Sequence, residues 1–183
     1  MRSAVFFMFL PASICLGLVA GWDHFRGNGR LWRMVLIGCI SGLIAAVAYD
    51  IFRVPFVFAK EWQITSVIPH LPLFKVFPRF GAMILGQPIE QPVYSGLAQT
   101  VGWSYHFSNG ATFGIMYLAL INDPRRRSWL WAVVFAVGIE ILMLLTPYAS
   151  AFQITVSALF VAVTLTAHTI FGCCLGKMVR ALV

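Results

Sequence analysis

Residues 31–49 read LWRMVLIGCISGLIAAVAY, with one cation, Arg33, near the start and no charge from Met34 to Tyr49. A helix rises 1.5 Å per residue, and the hydrocarbon core of a bilayer is about 30 Å thick. A stretch of this length and composition therefore reads as a membrane-spanning helix. Working outward, four further stretches have the same character: Ser3–Gly21, Val93–Ile121, Ser128–Thr146 and Gln153–Gly176. The whole chain is 60% hydrophobic and 10% charged, whereas soluble domains carry about 25% charged residues. The expected fold is an all-α integral membrane protein, one domain over residues 1–183, with five transmembrane helices in a bundle. Pro11 is expected to kink the first helix. Asn122-Asp123-Pro124 ends the third, Ser128 caps the fourth, and Thr146-Pro147 ends it.

The net charge of +7 is not spread over a surface that would suit nucleic acid. It sits in short clusters between apolar runs: Arg26, Arg30 and Arg33; Arg125, Arg126 and Arg127; Lys177 and Arg180. Basic clusters of this kind mark the cytoplasmic side. The N-terminus is then outside, the C-terminus is cytoplasmic, and the uncharged 147–152 loop is outside. Trp22, Trp32, Trp129 and Trp131 fall at the inner interface. The expected location is a multi-pass position in a bacterial inner membrane, with the lipid bilayer as the main partner. Cleavage of residues 1–21 as a signal peptide would leave four spans and send the arginine clusters outside, so a retained first helix fits the charge rule better. Ile14 before Cys15 is too bulky for lipoprotein processing. Cys15, Cys39, Cys173 and Cys174 lie in apolar runs without metal or haem-attachment spacing and read as buried free thiols.

Between the second and third spans, Ile51–Pro92 carries prolines at 55, 69, 72, 78, 88 and 92. Lys60, Lys75 and Arg79 alternate with Trp62, Phe74, Phe77 and Phe80. This composition predicts an irregular external segment lying in the interface or dipping over the bundle.

An ionisable group at the centre of a membrane helix costs roughly 2.5–3.5 kcal/mol on insertion scales, so each one needs a reason. Glu140 lies at the middle of the fourth span, His106 at the middle of the third, and His168 near the middle of the fifth. Asp50 and Arg53 close the outer end of the second span and share a helix face. At helical spacing, Ser95, Gln99, Gly102, Asn109, Gly110 and Tyr117 join His106 in one polar seam. Gln153, Ser157, Thr164 and Gly172 form another around His168. His106-x3-Gly110-x3-Gly114 matches His168-x3-Gly172-x3-Gly176, which suggests a parallel internal repeat. Small-residue pairs at Gly17/Gly21, Gly38/Gly42, Gly110/Gly114 and Gly172/Gly176 predict close helix crossings in the cytoplasmic half and a wider outer half.

The site candidates for ligand binding or proton relay are therefore His106, Glu140, Asp50, Arg53, Gln99, Asn109 and His168, with His106 and Glu140 expected to share a site. Such residues suit ion, proton or small-solute binding and translocation. At 183 residues the chain would act as a homo-oligomer or as a subunit of a larger membrane complex. Two other chemistries use the same residues. His106 and His168 would be the axial ligands of a haem or other tetrapyrrole. Together with Glu140 and Asp50 they would hold a divalent metal in a membrane-embedded enzyme. No local catalytic motif accompanies them.

Overall fold

The computed structural model describes residues 17–19, 21–27, 29–121 and 123–183, and these are helical with no strand among them. Five helices organise the fold: α1 (Arg30–Val57), α2 (Val76–Leu85), α3 (Gly96–Ile121), α4 (Leu130–Leu145) and α5 (Ala158–Leu182). A 3-10 turn (Leu73–Lys75) leads into α2, and a single turn (Tyr148–Ala151) lies between α4 and α5. The stretch expected as a first span, Ser3–Gly21, lies mostly outside the described residues. Two helices, α1 and α5, are long and apolar enough to cross a membrane. Helix α4 is apolar but has 16 residues, about 24 Å of rise. Helix α3 has the length, but its seam of polar residues dilutes it.

The helix ends follow local chemistry. Helix α1 runs on past Tyr49 through Pro55. Proline there removes the hydrogen bond that residue 55 would donate to the Ile51 carbonyl, and the helix ends within three residues. Ser157 caps α5 by accepting from the Phe160 amide at 3.1 Å. The segment over residues 51–92 is more regular than its prolines suggest. Pro78 falls in the first turn of α2, where its missing N–H has no intrahelical partner to lose. Gly86 closes that helix at φ 68°, a left-handed conformation that glycine adopts freely.

The glycines set the packing. A Cβ built on Gly38 would lie 2.7 Å from the Ile115 Cα, and one on Gly110 would lie 2.8 Å from the Ala46 Cβ. A Cβ on Gly42 would overlap the Gly110 carbonyl. Helices α1 and α3 therefore cross antiparallel in near backbone contact. Helices α4 and α5 do the same, with Gly172 against Val133 and Gly176 against Trp129 and Ala132. Gly81 of α2 meets Ala98 and Gly102 of α3 in the same way. By contrast, nothing lies within 4 Å of a Cβ built on Gly17 or Gly21, so that pair makes no crossing with the described residues.

Helix α1 packs against both α3 and α5, α5 also packs against α4, and α2 lies on α3. Helices α3 and α4 are consecutive in the chain, yet they barely touch. Phe113 and Tyr117 reach Phe135 across that seam, with ring centroids 6.5 and 5.9 Å apart. The antiparallel crossings bring the start of α1, the end of α3, the start of α4 and the end of α5 to one end of the bundle. There the Arg125 guanidinium donates to the Val183 carbonyl, and Lys177 lies over the Trp129 ring. Cys39, Cys173 and Cys174 are free thiols but only half-buried, less enclosed than their apolar runs imply. Cys15 lies outside the described residues.

Candidate functional site

At the end of the bundle away from the arginine clusters, the splay between α3 and α4 leaves a cavity of about 500 Å³. All four long helices line it, and the 3-10 turn and α2 cap it. Its volume is in the range of small-molecule sites, roughly 300–1,000 Å³. Phenylalanines 77, 80, 113, 160 and 171 make much of the wall apolar.

Two histidine–carboxylate pairs sit in this region. His106 Nε2 on α3 is 2.8 Å from Asp50 Oδ2 on α1. His168 Nδ1 on α5 is 3.4 Å from Glu140 Oε2 on α4 and 2.9 Å from the Thr164 carbonyl. A carbonyl only accepts, so His168 carries its proton on Nδ1. Tyr49 touches both imidazoles, with ring centroids 6.0 Å from His106 and 5.0 Å from His168. The Arg53 guanidinium lies 4.7 Å above the Tyr49 ring, donates to Asp50 Oδ1 at 3.4 Å, and donates to the Leu73 carbonyl at 2.7 Å. Asp50, Arg53, Glu140 and His168 are all buried.

His106 and Glu140, expected to pair, each have a different partner, although both line the cavity. The reason is the helix order: α3 packs on α1 and α4 on α5, so each histidine finds the carboxylate of its own hairpin. Asn109 lines the cavity. Gln99 does not; it is exposed and donates to the Tyr94 carbonyl at 3.3 Å. The matching glycine motifs occupy matching places. In each antiparallel hairpin a carboxylate on the first helix meets a histidine on the second, one and two turns before that helix's glycines cross its partner.

Three site residues were not singled out by the sequence reading. Tyr49 gives no signal beyond its place beside Asp50. Lys75 and Arg79 come from the segment expected to be irregular, and their signal is cationic charge inside a phenylalanine-rich run. Arg79 is buried. Its Nη1 donates to the Phe152 and Gln153 carbonyls at 2.9 and 3.1 Å, and its Nη2 donates to Glu90 at 2.5 Å. Lys75 holds the other Glu90 oxygen at 2.5 Å. The Lys75 ammonium, followed by the Arg79 guanidinium, pulls the Glu90 carboxyl below its ordinary value. Gln153 itself sits at φ 53°, which costs a non-glycine residue roughly 1–2 kcal/mol. Arg79 thus fastens the cap to the α4–α5 turn at a strained residue.

Among the described residues no three His, Cys, Asp or Glu side chains group closely enough to hold a metal ion. Each imidazole meets its own carboxylate through a single ring nitrogen, His106 through Nε2 and His168 through Nδ1. No family model, curated protein or solved structure matches the chain. The arrangement is two imidazole–carboxylate contacts, one buried and one half-buried, beside a capped, mostly apolar chamber.

Proposed function

We propose that the chain is a five-span membrane protein, with its N-terminus outside and C-terminus cytoplasmic. It binds a small solute in the chamber beneath α2 and links that binding to proton movement through Asp50–His106 and Glu140–His168. The observation that carries this reading is an inside-out distribution of polarity around that chamber. Helix α1 buries Gly38, Ser41, Gly42, Ala45, Ala46, Asp50 and Arg53 while exposing Leu36, Ile40, Leu43, Ile44, Val47 and Ile51. Helix α4 buries Ala132, Ala136 and Glu140 while exposing Val134, Ile141, Leu142 and Leu145. An amphipathic helix in water presents the opposite arrangement. Lipid accepts the large apolar side chains, and the interior keeps the ionisable ones, which is where binding and proton-relay groups of membrane proteins lie.

The pairs suit coupling because imidazole can both donate and accept a proton, and each imidazole here faces a carboxylate. Two experiments test the reading. A reporter active only in the cytoplasm, fused after Val183, should be active, while the same reporter placed in the 147–152 turn should be silent; the reverse pattern would refute the orientation. Ser157 lines the chamber, so Ser157→Cys should react in intact cells with a small membrane-impermeant thiol reagent. Protection of that thiol from the outside, with labelling from the cytoplasm, would overturn the outward-facing chamber.

A further inference from the structure

We infer that the chamber's ligand is an anionic amphiphile: an apolar chain or ring system bearing one carboxylate or phosphate head. This rests on the reading above that the chamber is a ligand site within the membrane. The first support is charge. Arg53, Lys75 and Arg79 line the outer end, while among the described residues Glu140 is the one carboxylate in the wall. Asp50 and Glu90, which partner those cations, are not part of the lining. Glu140 is already faced by His168.

The second support is unused donor capacity. A guanidinium has five N–H donors. Arg53 meets Asp50 through a long contact of 3.4 Å and the Leu73 carbonyl at 2.7 Å, and its side chain is 4% exposed. Among the described residues the Nε atoms of both Arg53 and Arg79 have no hydrogen-bond partner. Asp50 is taken more closely by His106, at 2.8 Å, than by Arg53. Those two Nε atoms are themselves enclosed, but both side chains line the chamber, and an anionic head there offsets the positive charge of guanidinium groups that are only partly satisfied.

The third support is shape. Below the arginines the wall is phenylalanine-rich, and the chamber lies along the sparsely packed α3–α4 seam, bridged by Phe113, Tyr117 and Phe135. An apolar tail fits that wall, and a seam facing lipid gives an amphiphile a route from the bilayer. The same head chemistry is supplied by a single-chain acid or by an anionic lipid.

The test uses the full chain in phosphatidylcholine nanodiscs and three probes with the same chain: dodecanoate, dodecanol and dodecylammonium. Trp103 is a built-in reporter, with its ring 4.3 Å from Phe77 in the chamber wall; Trp103→Phe identifies its signal. Binding is expressed as probe mole fraction in the bilayer, so that partitioning cancels. Dodecanoate should saturate at a mole fraction at least about tenfold below dodecanol, the scale of a charge-assisted hydrogen bond. Arg53→Gln and Arg79→Gln should each erase most of that preference. If a variant does not fold, the acid-to-alcohol ratio on the unaltered protein decides alone. Phosphatidylglycerol in the disc that displaces dodecanoate identifies lipid as the source of the anion; unimpeded dodecanoate binding identifies the single-chain acid. Equal binding of acid and alcohol, or preference for dodecylammonium, would overturn the anionic head and leave the chamber standing. Binding of none of the three would remove the chamber reading itself.

Discussion

The α1–α3 crossing can be tested by adding one methyl group. In Gly42→Ala the new Cβ would lie 2.8 Å from the Gly110 carbonyl carbon and closer still to its oxygen, so two backbones must part. Overpacking a tight contact costs about 1–3 kcal/mol, and backbone gives less easily than side chain, so the upper half of that range applies. Alanine recovers about 0.8–1 kcal/mol of helix propensity over glycine. The net loss is then about 1–2 kcal/mol, and at about 2–4 °C per kcal/mol for a chain of this size the apparent melting point falls by about 2–8 °C. Gly138 in α4 is the matched control, because nothing lies within 4 Å of a Cβ placed on it. Gly138→Ala therefore keeps only the propensity gain and should melt up to about 2–4 °C higher. The assay is thermal unfolding of detergent-purified protein, all variants at one scan rate. Parting the backbones also moves Asp50 from His106, so Gly42→Ala should weaken dodecanoate binding while Gly138→Ala leaves it unchanged. A Gly42→Ala protein that melts at or above the parent would refute the crossing.

Three further outcomes are expected. In a double-mutant cycle on Asp50→Asn and His106→Asn, the coupling should reach about 0.5–3 kcal/mol; simple additivity would mean the 2.8 Å contact does not form. Glu90 has a folded-state pKa below its ordinary 4.5, so its contribution to holding the cap is complete above that value and is lost as pH falls through the lower folded one. Limited proteolysis of residues 58–95 should accordingly accelerate as the pH falls below 4.5 and through the lower folded value, and Glu90→Gln should show the accelerated rate at neutral pH; a pH-independent rate in the parent would contradict this. Gln153→Gly should raise the melting point by up to about 1 kcal/mol equivalent by relieving the φ of 53°, and a lowered melting point would show that the glutamine side chain contributes more than its backbone costs.

Much of the helical content was legible because α1 and α5 are long apolar runs with little polar interruption. The Asp50–Arg53 pair was legible because residues three apart share a helix face. What the sequence hid was partner choice. Covalent order suggests that α3 and α4 are neighbours, and hence that His106 faces Glu140, but order along the chain does not decide which faces fit closest. The glycines decide it: Gly110 and Gly114 allow α3 to approach α1, while Gly172 and Gly176 allow α5 to approach α4. Helix α2 was overlooked because six prolines dominated the reading of residues 51–92, although Pro78 in a first turn and Gly86 just past a last turn are ordinary helix punctuation. The arginine on that helix was hidden with it.

The way the cap is fastened makes its sensitivity to mutation lopsided. Peptide bonds join it on both sides to the α1–α3 hairpin, while its hold on the α4–α5 turn includes the Arg79 side chain donating to two main-chain carbonyls. Side-chain substitution at Gln153 leaves those acceptors in place, whereas Phe152 is itself buried against Phe80, with ring centroids 4.3 Å apart. Replacement of Arg79 removes the fork that reaches both carbonyls and Glu90 together. A main-chain acceptor at Gln153 cannot be removed by changing its side chain, so the directed half of this contact is encoded at Arg79.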